Sequence, residues 1–248
     1  MKRLAGSTSE EAAAAGGQLA VVPLGATEQH GPHLPLETDT LLATAVAQAI
    51  VERVPGTVLG PVLSLGCSAH HLAFAGTISL RTRTLIDTLV DVGRSLATSG
   101  LTVLFLNGHG GNRATLEVAL TDLAETGTRA YGLTYWQLLG DVVDQALGDD
   151  AAGACGHACA LETSLMQHLH PGAVREHLIP EGGTPPAWPD PHMFSTDAVR
   201  VVRPFDELRP DGVIGRPSLA SAALGRQLFE AAVERGAREV RRIMEATP

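Results

Sequence analysis

The sequence predicts an α/β fold, a three-layer sandwich with a mostly parallel central sheet, and three observations carry that prediction. Short, wholly apolar runs such as LAVVPL (Leu19–Leu24) and LTVLFL (residues 101–106) alternate with longer segments of helical periodicity. Runs without a polar face suit strands covered by helices on both sides, as a parallel sheet requires. Both runs lead directly into loops rich in Gly and His, and folds of this kind place function at the carboxyl ends of strands.

The elements follow in order. Residues 1–17 are small and polar and are expected to be poorly ordered, and the first strand is LAVVPL. Residues 39–54 read as an amphipathic helix stopped by Pro55-Gly56, with Thr38 or Asp39 as the N-cap. A second strand is expected over 58–65, interrupted by Pro61, and a helix over 85–98. The strand at 101–106 leads through NGHGGN into a helix over 113–126, and 129–136 is a further strand candidate. A helix is expected over 162–169, ending at Pro171-Gly172, and a long irregular loop over 180–192. A last helix spans about 219–244, and the absence of a convincing linker makes 1–248 a single domain.

Composition narrows the functions. Hydrophobic residues make up 44% of the 248, enough for a sizeable core. A formal net charge of -9 with no basic run argues against a nucleic-acid partner. No stretch approaches the ~18 apolar residues of a membrane span, and no signal-peptide core is read near the start, so no membrane partner is expected. Three cysteines, an odd count, suggest reduced thiols and a cytoplasmic protein.

Three segments carry chemistry. The first, GATEQHGPHLPLETDT, places Glu28, His30 and Asp39 between a strand and a helix. Residues two apart on an extended segment point to the same side, so Glu28 and His30 can face one site. Imidazole mixed with carboxylate suits Zn²⁺, Mn²⁺ or Fe²⁺, whereas the alternative is a solvated loop. The second, NGHGGN, offers His109 as a ligand, with glycines that let backbone come close. Its alternative is a phosphate cradle at a helix N-terminus, although neither the dinucleotide nor the P-loop spacing is present. The third, GHACALETS, holds His157 and Glu162, and a Glu that opens a helix can equally be a cap or dipole partner.

Taken together, LGATEQHGPHLPLETD, NGHGGN and H-x₄-ETS, in this order, closely resemble the creatininase family of amidohydrolases. The resemblance runs over about 21–174, with weaker support in GVIGRPSLASAALGRQLFE. It implies a creatininase-like α/β fold, two divalent metal ions per chain (Zn, Fe or Mn), and a homo-oligomer, often a hexamer. It also implies that Glu28, His30, Asp39, His109 and Glu162 are metal ligands, Asp39 bridging, and that His157 is a catalytic proton shuttle. Creatininase supplies a Glu two residues after the motif His, where this chain has Gly111, so Glu162 looks like the replacement. The implied reaction is hydrolysis of a C–N amide bond by water that two cations have acidified, with a His protonating the leaving nitrogen.

Other residues complete the reading. His71, ahead of FAGTIS, is expected to line the substrate pocket, and His70 to have a packing or surface role. Trp188, in a Pro-rich loop, is preferred over Trp136 as a pocket or subunit contact. Cys155 and Cys159 are read as small buried thiols, because a structural zinc needs a fuller ligand set. Creatininases carry an aromatic shortly before the shuttle His, where this chain has Gly153 and Ala154. Creatinine is therefore not the expected substrate. The SAHHLAFAGTIS segment, the compact length and the H-x₄-ETS helix with PGAVR after it resemble instead the branch that removes a C-terminal Val-Tyr dipeptide from the mycofactocin precursor peptide. The alternatives are a small cyclic amide such as creatinine or a formamidopyrimidine as substrate, or a catalytically silent metal-binding assembly protein.

Overall fold

The computed structural model describes residues 3–183 and 201–246. Its centre is a four-stranded parallel sheet in the order β2-β1-β3-β4, formed by β1 (Leu19–Leu24), β2 (Thr57–Leu59), β3 (Thr102–Asn107) and β4 (Ala130–Thr134). Helices cover both faces. On one side α2 (Thr38–Arg53), α6 (Ala160–Leu169) and α8 (Ala222–Ala246) pack on Leu19, Val21, Leu104 and Leu106. On the other, α3 (Thr82–Thr98) and α4 (Arg113–Glu125) pack on Ala20, Val22, Leu24, Val103 and Phe105. Alternate residues of one strand thus enter opposite cores, which is why these strands carry no polar face.

The helices bury the stripes their sequences write. In α2 the buried residues include Leu42, Val46 and Ile50, four apart, with Ala43, Ala47 and Val51 beside them. In α8, Leu224, Leu228, Ala232 and Val233 face the core, and the helix begins after Ser221, whose Oγ accepts from Leu224 N–H at 3.1 Å.

Several expectations change. The opening residues are more structured than their composition suggests: α1 (Ser9–Ala13) is held by a reciprocal cap between Thr8 and Glu11. The second strand ends at Leu59, because Pro61 lacks the N–H a ladder needs, and only a single bridge at Leu63 returns to β1. Helix α2 is capped by neither Thr38 nor Asp39: Glu37 is the N-cap and makes no side-chain cap bond. Thr38 Oγ1 donates to Pro35 O at 2.7 Å, and the Asp39 carboxylate is engaged elsewhere. A short helix, α5 (Gly140–Leu147), fills a stretch with no assigned element. A further turn of helix, α7 (Phe205–Leu208), lies beside the site. The Pro-rich loop falls mostly in 184–200, so Trp188 lies outside the described residues.

The order β2-β1-β3-β4 reverses direction at β1, so the loops leaving β1 and β3 diverge from neighbouring strand ends. Such a switch point is where open α/β sheets bind ligands. Leu24 and Asn107 are in register, so the two motif loops leave at the same level. A Cβ on Gly25 would collide with the Thr40 backbone, and one on Gly108 would meet Asp39 O at 2.7 Å. These two glycines let the start of α2 sit directly on the strand ends, bringing Asp39 between the loops.

Candidate metal centre

Seven predicted or suspected side chains converge at that switch point. Glu28, His30, Asp39, His71, His109 and His157 are all buried, and Glu162 is half-buried. Asp39 stands at the middle, with Oδ1 3.1 Å from His30 Nε2 and Oδ2 3.0 Å from His109 Nδ1. Glu28 Oε2 is 3.2 Å from His109 Nε2, and Glu162 Oε1 is 3.8 Å from His30 Nε2. Among the described residues, three groups of potential ligand atoms lie within 4.8 Å of one another: Glu28, His70 and His109; His30, Asp39 and Glu162; and Glu28, His30 and His157.

The supports are local. Asn107 and Asn112 bracket the second motif as scaffolding. Asn107 Oδ1 accepts from His109 N–H and its amide donates to His109 O, which fixes the loop tip. Asn112 receives Cys67 N–H at 2.9 Å and donates to Gly25 O at 3.0 Å, tying three loops together. Gly111 has no room for a side chain, since a Cβ would run into Cys67 O and His109. A carboxylate at that position is therefore excluded, and Glu162 reaches the site from α6 instead. Ala158 adopts a left-handed conformation (φ 51), which lets His157 and the start of α6 face the same cleft.

The hydrogen-bond directions show what the cluster lacks. His30 Nδ1 is 3.2 Å from Glu28 O, and His109 Nε2 is 3.1 Å from Cys67 O. A carbonyl only accepts, so those nitrogens carry protons and the opposite nitrogens are the ones facing Asp39. Against a carboxylate each of these inner nitrogens needs positive charge, either a second proton on the ring or a metal ion in its place. Among the described residues, both oxygens of buried Glu28, and Oδ2 of Asp39, have no hydrogen-bond partner. Burial opposes charging His30, yet Asp39 and Glu162 outweigh it and its pKa rises well above the ordinary value. His109 follows the same pattern, with Glu28 and Asp39 overcoming burial. Burial also works against ionised Asp39, but His30 and His109 beside it hold its pKa below the usual range. Orphaned carboxylates and paired imidazoles with outer backbone partners fit divalent ions.

His157 and His71 flank Glu28 Oε1 at 3.7 and 3.2 Å. His157 Nε2 donates to Gln29 O at 2.7 Å, leaving Nδ1 on the site side. Burial, then the charge of His30, pushes its pKa down to about 3, and the ring is neutral at working pH. Burial likewise drives His71 well below its ordinary value. The cleft above is lined by His70, Arg113, Tyr135, Trp136 and Leu161.

His70 takes the packing role of the two expected for it: it is half-buried and stacks on His109 with centroids 5.8 Å apart. Trp136 lines the cleft, although Trp188 was the expected pocket residue. Sequence reasoning passed over Gln29 and Phe205. Gln29 stands between two ligand candidates in EQH, which is a legible signal. Phe205, whose ring centroid is 4.0 Å from that of His71, has no local signal. Cys159 is buried and Cys155 half-buried, as small thiols, and neither joins a ligand group.

A parallel α/β sheet with an imidazole and carboxylate cluster at its switch point defines an α/β protein whose site can hold metal ions. The chain belongs to the creatininase (creatinine amidohydrolase) family, whose model matches residues 5–240, and it is a hydrolase acting on amide bonds. It is 38% identical over 240 residues to the mycofactocin precursor peptide peptidase of Mycobacterium tuberculosis, covering 90% of this chain and 85% of the relative. It is 32% identical to the creatinine amidohydrolase of Pseudomonas putida, covering 91% and 89%. A solved manganese creatininase superposes with a TM-score of 0.81 at 30% identity, covering 99% of this chain and 98% of that one.

Proposed function

We propose that this amidohydrolase is a dinuclear metallopeptidase that removes a C-terminal Val-Tyr dipeptide from a mycofactocin-type precursor peptide. The observation that carries the reading is the cleft composition. Arg113 is the one Lys or Arg lining it, and it makes no ion pair or side-chain hydrogen bond among the described residues. A free guanidinium near a hydrolytic site suits a substrate whose carboxylate lies beyond the scissile bond. Trp136, Tyr135 and Leu161 beside it suit apolar and aromatic side chains. Creatinine offers no such carboxylate, and the similarity to the mycobacterial peptidase supports the same choice.

In this reading Glu28, Asp39 and His109 would hold one ion, and His30, Asp39 and Glu162 the other, with Asp39 serving both. The ions, as zinc, iron or manganese, would supply Lewis acidity and lower the pKa of water. His157 does the proton work. Its Nε2–H is anchored on Gln29 O, so Nδ1 is the atom free to take a proton and deliver it to the leaving nitrogen. Arg113 holds the departing dipeptide by its carboxylate. The assembled enzyme is a homo-oligomer, for which a hexamer is the expected form.

The test is direct. Metal-loaded enzyme incubated with a peptide ending in Val-Tyr should release the dipeptide, detected by mass spectrometry. Turnover of creatinine without turnover of the peptide would reverse the substrate assignment.

A further inference from the structure

Four imidazoles crowd the carboxylates, and the direction of their hydrogen bonds separates one from the rest. His30, His109 and His157 each lie within hydrogen-bond distance of a backbone carbonyl, on Glu28, Cys67 and Gln29. Each therefore donates outward and turns a lone pair inward. His71 has the opposite sense. Its Nδ1 is 2.8 Å from Gln29 Nε2. The Gln29 amide cannot be turned over, because Nε2 also donates to Gly212 O at 3.1 Å and Oε1 accepts Gly31 N–H at 2.9 Å. An amide nitrogen only donates, so His71 Nδ1 must accept. In the neutral ring the proton then sits on Nε2, the atom 3.2 Å from Glu28 Oε1.

The surroundings are shaped to hold this arrangement. Gln29 and His71 are 5% and 1% exposed, so the bond is shielded from bulk water. Gly212 has a positive φ of 68, and any Cβ there would strike the Gln29 amide. The Phe205 ring packs on His71 at 4.0 Å and limits rotation of the imidazole. His71 also joins none of the three ligand groups, despite its closeness to Glu28.

We propose that Gln29 is a positioning residue: it locks His71 as the Nε2–H tautomer, so that His71 presents an N–H, not a lone pair, on the side of Glu28 and is not a metal ligand. Glu28 Oε1 is thereby flanked by an N–H from His71 and a lone pair from His157, both set by Gln29, one through its side chain and one through its carbonyl. This fixes how the Glu28 carboxylate is presented to an ion, and it holds whichever amide is the substrate.

The tautomer can be read directly by magic-angle-spinning NMR of ¹⁵N-histidine-labelled enzyme loaded with Zn²⁺. His71→Gln identifies the His71 signals by their loss. The wild type should show a pyrrole-type Nε2 and a pyridine-type Nδ1 at His71. Gln29→Glu puts an acceptor opposite Nδ1 and should reverse that pattern, whereas Gln29→Met should give a mixture. Gln29→Met should also lower kcat roughly ten- to a hundredfold, the usual cost of losing a partner behind a metal site, with little change in KM. A Gln29 that merely packs would alter stability without moving the tautomer. A wild-type His71 protonated on Nδ1 overturns the proposal, and so does a Gln29→Glu spectrum identical to wild type. Should Gln29→Glu fail to fold, the wild-type spectrum alone decides.

Discussion

Glu162 turns one carboxylate oxygen toward His30 and gives the other to its own helix. Oε1 lies 3.8 Å from His30 Nε2, and Oε2 accepts Cys159 N–H at 3.2 Å in a reciprocal cap at the start of α6. The helix cap read from the sequence is therefore present, and the other oxygen is left facing His30, where the ligand reading would need it. Glu162→Gln separates them. A Gln can keep the cap, so helix content should persist and stability should change by less than ~1 kcal/mol. Metal affinity should fall steeply, because a carbonyl oxygen replaces a charged ligand. Metal content by mass spectrometry, with a circular dichroism melt, reads both. Unchanged metal and activity would leave Glu162 as a cap alone.

Asp39 tests whether the two ion positions share a ligand. Its two oxygens address His30 and His109 separately, at 3.1 and 3.0 Å. Asp39→Ala should therefore lose both ions, while His30→Ala should lose one. Full occupancy in Asp39→Ala would end the bridging assignment. One retained ion would show that the two positions do not depend on a common carboxylate.

How much of this was legible beforehand depended on whether the cause was local. β1 and β3 were visible because strands buried on both faces must be apolar throughout, and the ligand candidates because their motifs are short and follow those strands directly. Asp39 was misread as a cap because local propensity favours Asp at a helix start, whereas the fold recruits it to His30 and His109. The roles of His70, Phe205 and Arg113 come from chain crossings far apart in sequence. Phe205 reaches His71 across 134 positions of chain, and nothing in RPFDEL announces it.

His33 supplies a prediction in pH. It is buried, its Nε2 pairs with Thr163 Oγ1 at 2.8 Å, and burial followed by the charge of His30 pushes its pKa from 6.5 down to about 4. The folded pKa is below the unfolded one, so the unfolded chain binds the proton first as pH falls. Stability associated with neutral His33 is present above about pH 6.5 and is lost as pH drops toward 4. His33→Gln removes that titration. Urea midpoints of the metal-free proteins at pH 7 and pH 5 should therefore fall further for wild type than for His33→Gln. Equal falls would mean His33 is not neutral in the fold.

Arg113 separates the peptidase reading from hydrolysis of a small cyclic amide. If its guanidinium binds the substrate's terminal carboxylate, Arg113→Ala should raise KM for a peptide acid by roughly ten- to a hundredfold, as expected for a lost charged hydrogen bond. The same peptide as a C-terminal amide should be a poor substrate for wild type and no worse for the variant. Equal losses on acid and amide would remove Arg113 from recognition without touching the metal assignment.

His157 tests the chemistry itself. Its ring is held by Nε2–H on Gln29 O, and Nδ1 lies 3.7 Å from Glu28 Oε1. That closeness also places it in a potential ligand group with Glu28 and His30, so shuttle and ligand make opposite predictions. As a shuttle, His157→Ala should keep both ions and the fold, and should lower kcat by roughly 10²–10⁴, the range for a lost general acid or base. KM should change less, because proton transfer matters mainly in the transition state. An anilide or ester with a better leaving group should recover part of the lost rate, since it needs the proton less. As a ligand, His157→Ala should lose metal in step with activity, and no leaving group should rescue it. Metal content and the leaving-group series, measured on the same preparation, decide between the two.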